Sequence, residues 1–409
     1  MNNDREITPV VILSGGMELS SVALFEEFKE NRIPTIVISL VNDSLLKTYV
    51  SKECYFELDW PPKAESKAIE SIMNFIIKLK YKYPCKTPWP IFATEDAGLR
   101  LLMSNLNKLS HLLIFSHATK IKMSGLDKSE FFTFLNDMNL SNIIVDTITV
   151  KSSDDAIQKY YKHNSITNKK YIFKPSLKHY SMSQKGMKSK VISTELFDTK
   201  SKLESALKNS FDISNEWIMQ PKQNAPKSGE LVWWGIRDQV GNCDGIVARA
   251  LLKHPKMGGT GCVVELLNED ILELSAKAKM ILDAIDFTGL VEIEFIPDRH
   301  GVWRVLEINP RPWLQISATS TSNIRIVTMA YNILKGEKLK SISVRENHIW
   351  VNIERLFVGA ISGSFGNRTL ALINSILILI RSDDRAIYSS KLPRIKFKWL
   401  KKLLKKGLE

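Results

Sequence analysis

The stretch Gly289–Gln315, GLVEIEFIPDRHGVWRVLEINPRPWLQ, decides how the chain is read. Val291, Ile293 and Phe295 alternate with Glu292 and Glu294, the period of a half-buried strand. Pro297-Asp298-Arg299-His300-Gly301 has turn composition. Val302 to Asn309 reads as the return strand, with Trp303, Val305, Glu307 and Asn309 expected on one face. Pro310 and Pro312 end the pairing, because proline has no N–H for a ladder. A four-residue loop at Arg299–Val302 sets Glu294 opposite Glu307; a slip of two residues sets Glu292 there instead. Like charges directly opposite destabilise a sheet, so a cation between them is the natural remedy. Two carboxylates and an Asn carbonyl are hard oxygen ligands suited to Mg²⁺. Arg311 adds a fixed positive charge two residues on. The rival reading is the exposed face of an ordinary hairpin.

The totals set wide bounds around this stretch. A chain of 409 residues exceeds what one core usually holds, so two or three domains are expected. Cys54, Cys85, Cys243 and Cys262 lie far apart without a C-x-x-C pair, which argues against a zinc site or a disulfide framework. The polar start Met1-Asn-Asn-Asp-Arg5 and the short apolar run Val10–Leu13 do not form a signal peptide, so a cytoplasmic location is expected. A formal charge of +13 suits an anionic partner. No helix-turn-helix, RRM or zinc-finger pattern supports nucleic acid as that partner.

Upstream, Pro9–Leu13 reads as a buried strand, Ser14-Gly15-Gly16 as a turn, Glu18–Lys29 as a helix and Pro34–Ser39 as the next strand. This is a Rossmann-like β-α-β start. Ser14-Gly15-Gly16 also resembles the pyrophosphate cradle of PP-loop enzymes, which makes an adenylating activity the second reading. Trp89–Ala93 reads as a strand, and Thr94-Glu95-Asp96 as the cap of a helix over 97–106. Gly125-Leu126-Asp127-Lys128 opens another helix, and Lys169–Pro175 is a strand ending in Lys174-Pro175. Glu230–Gly235 and Gly245–Leu252 read as antiparallel strands joined at Gly241-Asn242.

The E-x-E-F strand, short turn and LEINPRPW of the hairpin resemble the metal-binding end of the ATP-grasp superfamily of carboxylate–amine ligases. The likeness is greatest to the carbamoyl-phosphate-synthase-like and D-aspartate-ligase-like branch. It implies an α/β chain with an α+β catalytic part: a Rossmann-like pre-ATP-grasp domain at 1–120 and an ATP-grasp domain at 121–340. The latter divides into 121–215, with the small ATP-binding lobe, and a metal-binding lobe at 216–340. A basic helical extension follows at 341–409.

The resemblance also implies the site. Glu294, Glu307 and Asn309 would hold Mg²⁺ or Mn²⁺. Lys128 and Lys174 would take ATP phosphates, Gln220 would face adenine, and Glu230 is the nearest candidate for ribose. Arg311, Arg249 and Lys253 would steady the transferring phosphoryl or acyl phosphate. The Ser- and Lys-rich segment 176–190 would be a phosphate lid or a solvated loop. Glu292 stands where many such ligases carry an Arg. The implied substrates are a carboxylate and an amine, small molecules or cell-envelope precursors.

Leu370–Ile380 is strongly apolar but too short to span a bilayer. Lys391–Leu408 reads as a basic amphipathic helix, which either docks on the catalytic domain or lies on the inner face of an anionic membrane. A non-catalytic nucleotide-binding protein at that surface is the third reading. Oligomeric state is not encoded in any motif.

Overall fold

The computed structural model describes residues 8–16, 18–62, 64–167, 169–177, 191–197, 199–211, 216–223, 230–254, 260–267, 271–342, 348–363 and 366–407. Most of the proposed lid, at 178–190, lies outside the described residues, as do 255–259 of the glycine-rich segment His254–Gly261, and Leu408.

Among the described residues the strands form three sheets. The first is parallel, in the order β3-β2-β1-β4-β5: β1 (Val10–Ser14), β2 (Thr35–Ser39), β3 (Tyr55–Glu57), β4 (Trp89–Ala93) and β5 (Leu113–Ile114). Its central strands β1 and β4 are buried apolar runs, as a sheet with both faces covered requires. Strand order reverses at β1, so a crevice opens at the carboxyl ends of β1 and β4. β6 (His117–Ala118) leaves this sheet and pairs with a strand of the third.

The second sheet is antiparallel, in the order β7-β10-β8-β9: β7 (Ile148–Val150), β8 (Tyr171–Pro175), β9 (Ile192–Ser193) and β10 (Trp217–Pro221). The third runs β15-β14-β11-β12-β13-β16, also antiparallel. Its strands are β11 (Glu230–Arg237), β12 (Cys243–His254), β13 (Thr260–Leu267), β14 (Phe287–Pro297), β15 (Trp303–Asn309) and β16 (Ile349–Val351). One face packs Trp233, Val291, Ile293 and Phe295 with helix Ile271–Ala284. The other joins Trp234, Ile246 and Leu290 to Tyr331 and to Phe28 of the first sheet's helix Glu18–Glu30, in one core.

Three readings are corrected. Thr94-Glu95-Asp96 does not cap its helix: Thr94 Oγ1 and Glu95 Oε2 instead accept from the amides of Gly15 (3.1 Å) and Gly16 (2.7 Å). Thr319–Leu334 has the sequence pattern of one helix, but the chain forms two, Ser317–Thr321 and Ile326–Leu334, parted where Arg325 takes the left-handed conformation (φ 54°). Finally, Trp303 and Val305 do not share a face with Glu307 and Asn309. β15 carries an irregularity at Leu306, so Val305 pairs with Phe295 while Glu307 pairs with Glu294. One extra residue reverses which face the rest of a strand presents.

The terminal helix Ile395–Gly407 docks on the body. Ile395 is buried, Trp399 Nε1 donates to Glu354 Oε1 (2.6 Å), and Lys402 Nζ pairs with Glu18 Oε2 (2.5 Å). Just upstream, Asp384 is fully buried, where Oδ2 accepts from Ser317 Oγ (2.9 Å) and Thr321 Oγ1 (3.4 Å). Burial pushes its carboxyl up from 3.8 to about 6. Ionising it therefore costs more in the folded chain than in the unfolded one, and stability falls as pH rises from about 4 through about 6. Asp384→Asn cannot ionise and is expected to flatten this slope and to raise Tm at pH 8. Equal Tm slopes for both proteins between pH 4 and about 6.5 would show that Asp384 does not titrate there.

Candidate active site

The site is built on the hairpin of β14 and β15. The ladder pairs Glu294 with Glu307 and Glu292 with Asn309. Directly paired residues share a face, so all four side chains point the same way. The extra residue at Leu306 restores this register after a turn one residue longer than expected: pairing resumes at Pro297–Trp303. Burial raises the Glu292 carboxyl, against the opposing charge of Arg311 and hydrogen bonds from Trp234 Nε1 (3.0 Å) and Asn309 Nδ2 (3.1 Å). Glu294 is pushed up to about 7, by burial first and then by the charges of Glu307 and Glu292. Three acids on one face, with Glu292 buried and Glu294 and Glu307 partly so, want positive charge.

Two lysines supply it from different elements. Lys128 opens helix Lys128–Asp137, whose N-cap Asp127 accepts from the amides of Ser129 (3.1 Å) and Glu130 (3.2 Å). Its Nζ lies 3.3 Å from Glu307 Oε1. Lys174 reaches the other oxygen, Oε2, from β8 at 3.9 Å. The end of β8 is fastened to the helix start, because the Lys128 amide donates to Ser176 O (3.0 Å) and the Ser129 amide to Ser176 Oγ (2.7 Å). Gly125 permits the approach to β15. It has φ 93°, and a Cβ there would sit 2.4 Å from Ile308 Cγ2.

The other expected residues divide. Gln220 pairs with Ile172 and Ile218 with Lys174, so Gln220 and Lys174 share one face of the second sheet. Gln220 Nε2 donates to Thr147 Oγ1 (3.0 Å), while its buried Oε1 has no hydrogen-bond partner among the described residues. Glu230 and Lys253 form an ion pair, and both charges act on Glu294. Ladder irregularities around Leu252 turn Lys253 toward this face. Arg249 is not brought in. It pairs with Leu231, which pairs with Phe295, so it lies on the face opposite the acids, with Glu265 at 4.0 Å. A strand alternates faces whatever charge it carries.

Arg311 does reach the acid face, where it feels Glu292 and Glu307, but its Nε is ion-paired with Asp96 at the crevice of the first sheet. Asp96, Glu95 and Trp234 were missed as site residues. Trp234 stacks on Trp313 (centroids 5.1 Å apart) while donating to Glu292. The signal for the acids was present, since Glu95-Asp96 follows directly on a parallel strand, where crevice residues lie. The turn Ser14-Gly15-Gly16 has already committed its glycine amides to Thr94 and Glu95, which counts against a pyrophosphate cradle there.

The donor set fits a hard cation. Among the described residues, no group of three His, Cys, Asp or Glu side chains forms a ready metal cage. Mg²⁺ does not require one: it binds through one or two carboxylates and completes its shell with water and phosphate. Glu294, Glu307 and Asn309 carry the oxygens from which such a partial shell could be built.

The arrangement of sheets belongs to a known class. Several solved enzymes superpose on the chain, which has the ATP-grasp fold. An N5-carboxyaminoimidazole ribonucleotide synthetase matches with a TM-score of 0.64 at 12% identity, over 92% of this chain and 98% of its own. The biotin carboxylase of Campylobacter jejuni matches at 0.61 and 16%, over 86% and 76%. The L-amino acid ligase of Bacillus licheniformis matches at 0.56 and 13%, over 81% and 75%. At such identities the fold is what is shared. No protein-family model and no curated protein matches the sequence.

Arg311→Ala leaves Asp96 and Glu292 without their shared cation. It is expected to destabilise the chain by about 2–3 kcal/mol, less than a fully buried pair because the Asp96 side chain stays 20% exposed. A double-mutant cycle with Asp96→Ala measured by urea unfolding checks this, and strict additivity would rule the coupling out.

Proposed function

We propose that the chain is an ATP-dependent carboxylate–amine ligase working through an acyl phosphate. The observation that carries this reading is the convergence of Lys128 and Lys174 on Glu307, on the face that also presents Glu294 and Asn309, within an ATP-grasp fold. Structures similar to it include complexes with ADP and with ATP, and one protein named for ligating amino acids.

In this reading the two lysines leave Glu307 for nucleotide phosphates, which offer more charge and more oxygens. Gln220 Oε1, a buried acceptor, takes the exocyclic amine of adenine, a donor of the matching kind. Glu294, Glu307 and Asn309 would hold Mg²⁺, which would supply positive charge against the nucleotide phosphates. Lys253, held by Glu230 beside Glu294, faces the transferring phosphoryl, which leaves Glu230 a positioning role rather than a ribose contact. Arg311 stands between the acid face and the crevice of β1 and β4, where it steadies the acyl phosphate as the amine attacks. Arg249 has no part.

The carboxylate oxygen takes the γ-phosphoryl and ADP leaves. The amine nitrogen then bonds to the carbonyl carbon, phosphate leaves, and the amine proton passes to solvent. The amino-acid-ligating branch that the hairpin resembles directs the substrate search to amino acids, and to small or cell-envelope-precursor carboxylates.

Screening amino acids against carboxylates for ADP release, with mass detection of the product, is expected to give one pair that yields ADP, phosphate and an amide. Glu307→Gln should lower that turnover by about 100-fold or more. Lys174→Met should weaken nucleotide binding by about 10–100-fold in calorimetry. Pyrophosphate in place of phosphate, or full turnover by Glu307→Gln, would overturn the reading.

A further inference from the structure

Helix Arg368–Arg381, RTLALINSILILIR, is apolar on two opposite sides. Its inner side is accounted for: Ala371 and Ser375 are buried, and Ile378 and Leu379 pack against Cys262, Val263, Val351 and Leu356. The outer side carries Leu370, Ile373, Ile376, Leu377 and Ile380, exposed by 60, 50, 52, 47 and 69%. At 100° per residue, Ile373, Ile376 and Ile380 centre opposite the Ala371–Ser375 stripe. A helix apolar all round is normally covered on both sides. This one is 14 residues long, about 21 Å against a bilayer core of about 30 Å, so it cannot cross a membrane.

Its neighbours extend the pattern. Helix Ile353–Ile361 packs beside it and exposes Val358 and Ile361. The terminal helix lies against the first turn of Ile353–Ile361 through the Trp399–Glu354 hydrogen bond. With Ile395 and Trp399 turned inward, its outer side presents Phe397 (78% exposed) and Leu400, flanked by exposed Lys396 and Lys401.

We infer that these three helices form a docking surface for an anionic lipid bilayer. The charge decides between occupants. Residues 366–409 hold eleven Lys and Arg against three Asp and Glu; Lys391 and Lys402 are ion-paired with Glu30 and Glu18 of the body, while Lys396 and Lys401 stay exposed beside Phe397 and Leu400. A second copy seated on this face would bring two such surfaces together, at a repulsive cost. An anionic bilayer supplies the opposite charge, an apolar layer for Ile, Leu and Phe, and headgroups for the lysine tips. The contact is peripheral, the helices lying in the interface.

Full-length protein is sedimented with vesicles of mixed phosphatidylglycerol and phosphatidylcholine, and with phosphatidylcholine alone. Binding to the anionic vesicles, weakened by salt and much lower on the neutral ones, is expected. Lys396→Glu/Lys401→Glu should reduce partitioning at least about 30-fold. Ile376→Asp/Ile380→Asp should abolish it with Tm unchanged, since both side chains already face out. No sedimentation with anionic vesicles, or equal binding to neutral ones, overturns the inference. A dimer in light scattering that Ile376→Asp dissolves would assign the face to a second copy instead. Vesicle binding needs no ATP turnover, so its outcome is separate from that of the ligase reading.

Discussion

Two partly buried carboxylates, Glu294 and Glu307, face each other across an antiparallel ladder. Burial and the neighbouring acids push the Glu294 carboxyl up to about 7, and the folded chain brings cations from three directions. Lys128 comes from a helix start, Lys174 from a second sheet and Lys253 from the bulged strand β12. The second sheet thus meets the third at an electrostatic demand as well as at apolar contacts. A phosphate–metal assembly placed between them would meet that demand in another way, giving the acids a cation and the lysines an anion.

A second constraint holds the first sheet to this centre. Helix Glu18–Glu30 shares a core with helix Ile326–Leu334, and polar ties fix its orientation. Ser20 Oγ donates to Trp313 O (2.9 Å), and buried Glu27 accepts from the amide of Thr328 (2.7 Å). Arg311 then links the hairpin to Asp96. The crevice at the reversal of strand order is thereby tied to the acid face through Arg311 and Asp96.

Much of this was legible in local pattern. The alternation of Glu292 and Glu294 with Val291, Ile293 and Phe295, and the later Glu307-x-Asn309, announced an acid-bearing hairpin because strand periodicity is local. The β-α-β start and the strand carrying Lys174 were readable for the same reason. The face of each residue was not. The irregularity at Leu306 and that around Leu252 each reverse a parity count, one separating Val305 from Glu307, the other turning Lys253 inward. Arg249 sits two residues from a bulge, and only the pairing of Leu231 with both Arg249 and Phe295 shows that it faces away. The short strands β3, β7 and β16 leave no mark in the local pattern, since three residues carry no period.

The sequence by itself determined the chemistry available: an acid hairpin, two lysines at element ends, a glycine turn after a buried strand, and a basic tail. Each of these is written in a few consecutive residues. Only the tertiary structure decided their partners. It turned Asp96 from a helix cap into the counter-ion of Arg311, gave the glycine amides to Thr94 and Glu95, set Glu307 between two lysines, and docked one side of the terminal helix while leaving Phe397 outside. The physical reason is range. Hydrogen bonds and ion pairs act over a few ångströms between atoms that lie from tens to hundreds of residues apart, so packing alone settles which groups meet.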